Sequence, residues 1–217
     1  PGIRAIGARD KFQALMPITY RDPQAAKRGL LFMLSIQFEN GAIAHDISGY
    51  MHEYARPGRY RREIIKSDDH LWSIFLAYAV AAESDVSVLD ELVPFRDLEG
   101  NVKPEGETVW AHLMRAVEFT QSNLGPHGLP LMLNGDWNDI ICRFSEKGEG
   151  ESVFAAQQYV AVLDRMIDMA EFTCRLEEKE RLCEYRASMK DSIQKHAWNG
   201  KWWYRCFSHT GKPIGSE

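Results

Sequence analysis

The chain is short of cysteine, of excess positive charge and of long apolar runs, and each shortage narrows the possible functions. Its cysteines are Cys142, Cys174, Cys183 and Cys206. None forms a C-x-x-C pair and none has histidines at zinc-like spacing, so neither a redox dithiol nor a structural zinc is expected. Cys174 and Cys183 fall in apolar-periodic segments, which predicts buried thiols, and a reducing, cytoplasmic setting is expected. A net charge of -5 and a pI near 5.8 leave no basic footprint for nucleic acid or an anionic membrane. No apolar run approaches the roughly 18 residues that span a bilayer, and no charged-then-apolar leader opens the chain.

What is present is ordinary globular composition. Hydrophobic residues make up 45% and charged residues 26% of 217 positions, enough to bury a core in one or two domains. The ends, Pro1-Gly2 and Ile214-Gly215-Ser216-Glu217, read as cut, so a piece of a longer protein is expected.

Helical periodicity dominates the chain. Residues 22–38 begin with Asp22 as cap and Pro23 at the first helical position, and end at Asn40-Gly41. A loop rich in Gly, Tyr and Arg runs over 41–66. Ser67-Asp68-Asp69 is expected to cap a helix to about Ala82, and a shorter helix over 86–93 is expected to stop at Pro94. Residues 96–107 read as polar loop. Helices are expected over 108–124, from Ser152 to about Cys174, and over 179–198. Residues 201–205, Lys-Trp-Trp-Tyr-Arg, form the one strand-like run. Helices recurring roughly every 45 residues between long loops predict an all-α toroid or solenoid of stacked helix hairpins, with the loops at one rim.

The stretch 127–139, His-Gly-Leu-Pro-Leu-Met-Leu-Asn-Gly-Asp-Trp-Asn-Asp, fits neither period. It places two carboxylates, an indole and a carboxamide in four consecutive residues after a Gly/Pro turn. Carboxyl groups move protons and grip hydroxyls, and a flat indole lies against a pyranose ring, so a sugar site would explain the cluster. An exposed polar turn with Trp137 folded into the core would explain it too.

Further runs accompany it: Gly2-Ile3-Arg4 through Arg9-Asp10-Lys11-Phe12-Gln13, Gln37-Phe38-Glu39-Asn40-Gly41 with His45, Ser67-Asp68-Asp69-His70-Leu71-Trp72, Gly150-Glu151-Ser152-Val153, and Trp198-Asn199-Gly200 through Arg205. Together with H-G-L-P-L and G-D-W-N-D they make the chain resemble the inverting glycoside phosphorylases of the cellobiose and chitobiose phosphorylase type, the glycoside hydrolase family 94 pattern. The resemblance spans nearly the whole chain. It implies an all-α fold, about the first half of an (α/α)6-barrel catalytic domain with long rim loops and a short β segment near the C-terminus. It also implies phosphorolysis of a β-linked glucoside or N-acetylglucosaminide di- or oligosaccharide. No metal or cofactor is implied. Inorganic phosphate enters as co-substrate, and a homodimer is one expected assembly.

By the same resemblance Asp139 matches the general acid, Trp137 lines the glycosyl subsite, and Arg4 with Asp10 holds hydroxyls of the transferred sugar. Cleaving a glycosidic bond through an oxocarbenium-like transition state needs a proton on the leaving oxygen. Phosphate is already an anionic nucleophile, so one acid suffices. That acid should be raised in pKa by burial or by a neighbouring carboxylate, with Asp136 as the candidate neighbour and Asn138 as a brace. Arg9 is expected to keep Asp10 ionised.

Other readings stay open. A hydrolase on the same toroid would need a base carboxylate, with Asp10, Asp69 and Glu151 as candidates, and a non-catalytic sugar-binding module would need no acid. Asp68 reads as a helix-dipole residue, Asp69 as either that or a site-shaping one, and Glu151 as part of a cap. His45 and His127 read as hydrogen-bonded loop histidines, Trp72 and Trp110 as core. Arg59, Arg61 and Arg62 read as a solvated basic loop. The chain departs from the family's pattern at Ala14, Ile140, Glu63 and Ile65.

Overall fold

A computed structural model describes residues 6–47 and 59–215. The chain divides into two compact units, the first holding residues up to Ile65 and Asp69–Phe119, the second Lys66–Asp68 and everything from Thr120. Helix dominates both.

In the first unit, α1 (Ala8–Leu15) buries Ala8, Arg9, Phe12 and Leu15, positions that share one helical face. In α2 (Pro23–Leu34) Asp22 accepts a hydrogen bond from the Ala25 N–H and Pro23 holds the first turn, as the sequence predicts. The helix stops at Leu34 rather than Phe38. Beyond it the backbone extends, so that Gln37 and Glu39 bond the main chain of Arg96. Gly41 closes this turn at φ +93°, where a Cβ would stand 2.1 Å from the Arg115 carbonyl oxygen.

A 3₁₀ turn, Asp69–Leu71, precedes α3 (Trp72–Glu83). The expected helix over 86–93 and loop over 96–107 are corrected. A 3₁₀ turn, Val86–Asp90, leads into an antiparallel hairpin of β1 (Leu92–Arg96) and β2 (Val102–Thr108). The alternation of buried Val93 and Phe95 in β1 is a period of two. Gly106 stands opposite Pro94, and no residue of β2 is fully buried, its first four positions, Val102 among them, being exposed. The helix α4 (Val109–Gln121) follows.

Buried imidazoles tie this unit together. His112 spans the Gln37 side-chain oxygen at 2.7 Å and the Val93 carbonyl at 2.9 Å, and His70 meets Phe119 edge-on. Burial lowers the pKa of His112 to about 4 and that of His70 to about 3. A histidine with a lowered folded pKa binds its proton more readily when unfolded, so its stabilising effect is present above about 6.5 and is lost as pH falls towards 4. Denaturation followed against pH should therefore show stability declining from pH 6.5 to 4, and His70→Leu should flatten that slope. An unchanged slope in the variant would refute the assignment.

In the second unit, Ser152 caps α5 (Val153–Phe172) by accepting from the Ala155 N–H, as the sequence predicts. Its partner in the helical hairpin is α6 (Leu176–Ser192), which begins before the expected Lys179 and ends in a wider turn, Ile193–Ala197. The expected strand over 201–205 is also corrected. Asn199 Oδ1 accepts from the N–H groups of Lys201 and Trp202 and coils those residues. The ladder starts one step later, with β4 (Cys206–Phe207) between β3 (Glu151–Ser152) and β5 (Pro213–Ile214).

Cys174 is exposed, contrary to the expected buried thiol, because it closes the α5–α6 turn at φ +58°. Cys206 is the buried one, and burial pushes its thiol up to about 11. Iodoacetamide should label Cys174 first and Cys206 last in the native protein; early labelling of Cys206 would contradict this packing. Among the described residues no helix is long and apolar enough to cross a membrane.

Candidate active site

The motif loop of the second unit is anchored from below by a buried carboxylate. Glu151, 2% exposed in β3, accepts from the backbone N–H of His127 at 2.9 Å and of Leu129 at 3.3 Å. It also pairs with His127 Nδ1, and the His127 ring stacks on Phe207. A Cβ on Gly125 would stand 2.5 Å from Glu151 Cγ, so glycine is what lets the carboxylate reach the loop. Glu151 thus clamps the loop instead of capping α5, and His127 is the hydrogen-bonded histidine that the sequence suggests.

Asp136 is fully buried. Arg205 grips its carboxylate with two hydrogen bonds of 2.8 and 2.6 Å. Ser152 Oγ donates to one carboxylate oxygen and the Asn138 N–H to the other. Paired guanidinium and carboxylate geometry of this kind is strong and directional. The Asp136 charge expected to act on Asp139 is therefore already matched by Arg205, and its carboxylate binds the motif to the start of α5.

The rest of the motif turns outward. Asn138 Oδ1 caps the 3₁₀ turn Asp139–Phe144 by accepting from the Ile140 N–H. This leaves Trp137 53% exposed, which removes the core reading of its indole. The Asp139 side chain is 61% exposed, where shelter was expected, because the cap projects it away from the buried Asp136. Lys66 Nζ lies 2.9 Å from its carboxylate. A cavity of about 480 Å³ is lined by Trp137, Asn138, Asp139, Ile140, Phe154 and Arg205, with the Arg205 guanidinium over the Phe154 ring. It offers an aromatic plate, a carboxyl group and a cation within one hollow.

The remaining candidates belong to the first unit, apart from Asp68. Arg9 is buried and Asp10 exposed in the first turn of α1. Asp69 is fully buried and its carboxylate meets His45 Nδ1 at 3.0 Å. A Cβ on Gly7 would stand 2.3 Å from Asp10 Oδ2 and 3.3 Å from His45 Cε1, so Asp10 and His45 gather around this glycine. Asp68, in the second unit, is fully buried and immediately precedes the Asp69–Leu71 turn. Trp110 is core as read, whereas Trp72 is only half-buried. Arg59, Arg61 and Arg62 are exposed. Arg4 lies outside the described residues.

Two residues went unread in the sequence, Lys66 and Arg205. Both find their carboxylates across long stretches of chain, and no periodicity links such positions. The one available signal for Arg205 is its place at the end of the W-N-G-K-W-W-Y-R run. Among the described residues no cluster of three or more His, Cys, Asp or Glu could hold a metal ion.

Similar proteins cover the same ground. Solabiose phosphorylase of Paenibacillus borealis is 29% identical over 213 residues, which is 97% of this chain and 26% of that protein. The cyclic beta-(1,2)-glucan synthase NdvB of Rhizobium meliloti is 28% identical over 98% of this chain and 8% of its own length. N,N'-diacetylchitobiose phosphorylase of Vibrio proteolyticus is 24% identical over 99% of this chain and 28% of its own length. The chain thus spans about a quarter of the length of the phosphorylases it matches. The catalytic-domain profile of the glycosyl hydrolase 94 superfamily matches residues 1–217. With the G-D-W-N-D loop built around a hollow of carboxylate and indole, and the match unbroken from end to end, the chain belongs to the glycosyl hydrolase 94 superfamily and forms part of its catalytic domain.

Proposed function

We propose that the full-length protein is an inverting glycoside phosphorylase that cleaves a β-linked glucoside or N-acetylglucosaminide di- or oligosaccharide with inorganic phosphate. Asp139 protonates the leaving oxygen, Trp137 lies against the glycosyl ring, and Arg4, Asp10 and Asp69 hold the hydroxyls or shape their subsite. Arg9 supports Asp10. Asp136 serves by fixing the loop, through Arg205 and Ser152. The carrying observation is the cavity that places Asp139 beside the exposed face of Trp137. Family membership over the whole chain and relatives named as phosphorylases support the same reading.

The helices are assigned to part of an (α/α)6 barrel. The phosphorylase relatives extend well beyond the matched span, and we assign the cover of the exposed Asp139 carboxyl to that remainder. Enclosure would favour its protonated form, as an acid working near neutral pH requires. The phosphate-binding groups are assigned to the same remainder, and no metal or organic cofactor enters the proposed reaction.

Hydrolysis on this scaffold would need a second carboxylate about 6.5–9.5 Å from the acid, across a water. Glu151 is a poor base because it already holds His127 and two backbone N–H groups. The test is to incubate the full-length protein with cellobiose or N,N'-diacetylchitobiose, with and without inorganic phosphate, and to follow products by phosphorus NMR. An α-configured sugar 1-phosphate formed only with phosphate supports phosphorolysis. Free sugar released at the same rate without phosphate overturns it in favour of hydrolysis.

A further inference from the structure

The cation at Asp139 is unusually constrained. Lys66 immediately precedes the S-D-D run, and its side chain is 6% exposed whereas that of Asp139 is 61% exposed. An ammonium taken out of water is costly unless its protons are matched. Lys66 Nζ donates to the Asn134 carbonyl at 3.1 Å and lies 2.9 Å from Asp139 Oδ1. Its backbone is fixed as well. Lys66 bridges Leu133, and the N–H of Ser67 bonds the Gly135 carbonyl at 2.9 Å. A surface lysine follows its carboxylate; here the lysine is the fixed partner and the carboxylate is placed by it.

We propose that Lys66 is the positioning residue of the proton donor, holding the Asp139 carboxyl at the cavity beside Trp137 and governing how readily it gives up its hydrogen. The proposal rests on the reading of Asp139 as the acid. The charged groups near Asp139 include Lys66, Arg205 in the cavity wall, and Asp136, whose charge Arg205 matches. Of these, Lys66 is the cation in direct ion-pair contact with the Asp139 carboxylate.

An opposite charge at this distance favours the ionised carboxylate. Loss of the ammonium lets Asp139 keep its proton to higher pH. In the full-length protein, Lys66→Met should raise the high-pH limb of kcat/KM for phosphorolysis by about one pH unit. It should also lower kcat roughly tenfold, with the KM for the disaccharide little changed, because the acid is no longer fixed. Lys66→Arg keeps the charge and should leave the limb in place; Lys66→Gln serves as a second neutral variant if Lys66→Met does not fold.

The substrate is cellobiose or N,N'-diacetylchitobiose, whichever is phosphorolysed, with inorganic phosphate. Loss of activity in Asp139→Asn tests the acid by itself. Adding Lys66→Met to Asp139→Asn should then cost nothing further, since Lys66 acts through that carboxyl. An unmoved pH limb in a folded neutral variant overturns the proposal while leaving the acid assignment standing. An undiminished second loss in the double variant does the same.

Discussion

Asp139→Asn should lower kcat for disaccharide phosphorolysis by about 10²–10⁴, the range a positioned proton donor contributes. The amide is nearly isosteric with the carboxyl and keeps the cap geometry set by Asn138, so the loop and the Trp137 face stay in place. The KM for the disaccharide should therefore change little, because the lost interaction belongs to the transition state. A variant that kept more than a tenth of the parental kcat would remove Asp139 from the reaction. One that lost only KM would make it a binding group.

Arg205→Met should produce the largest loss of stability in the second unit. The substitution leaves the fully buried Asp136 carboxylate without its bidentate partner. Breaking a buried ion pair by removing one member costs about 3–5 kcal/mol, and the low end applies because Arg205 is itself part exposed. Urea titration should show a midpoint shift corresponding to about 3 kcal/mol. Combining Arg205→Met with Asp136→Asn should recover part of that loss, since no unpaired charge remains. A shift below about 0.5 kcal/mol in the single variant would mean that the pair does not hold the loop.

Legibility of the sequence followed the range of the interactions involved. Helix starts set by local chemistry were readable: Asp22 before Pro23 and Ser152 before Val153 cap helices where expected, through bonds to the residue three positions on. Elements decided by distant partners were not. The β1–β2 hairpin hides because β2 has no alternating apolar face and Pro94 suggests a stop, and the strand near the C-terminus moved because Asn199 coils the residues after it.

The site divides in the same way. The G-D-W-N-D run announced a sugar-type cluster, and the structure turns its indole to solvent and lines a hollow with it. Nothing local announces that Arg205 takes the first of the two carboxylates and Lys66 the second. Such pairings are made by tertiary structure, from positions 69 and 73 residues apart along the chain. They also change the meaning of the motif, since one aspartate becomes a structural tether and the other alone faces the cavity.

Leaving-group dependence tests the central claim most directly. Phosphorolysis by the parental protein and by Asp139→Asn is compared on the natural-type disaccharide and on a dinitrophenyl β-glycoside of the same glycosyl sugar, whose phenolate departs without a proton. If Asp139 donates to the departing oxygen, the variant fails on the disaccharide and stays close to the parent on the activated glycoside. Equal losses on both substrates would contradict proton donation by this carboxyl group.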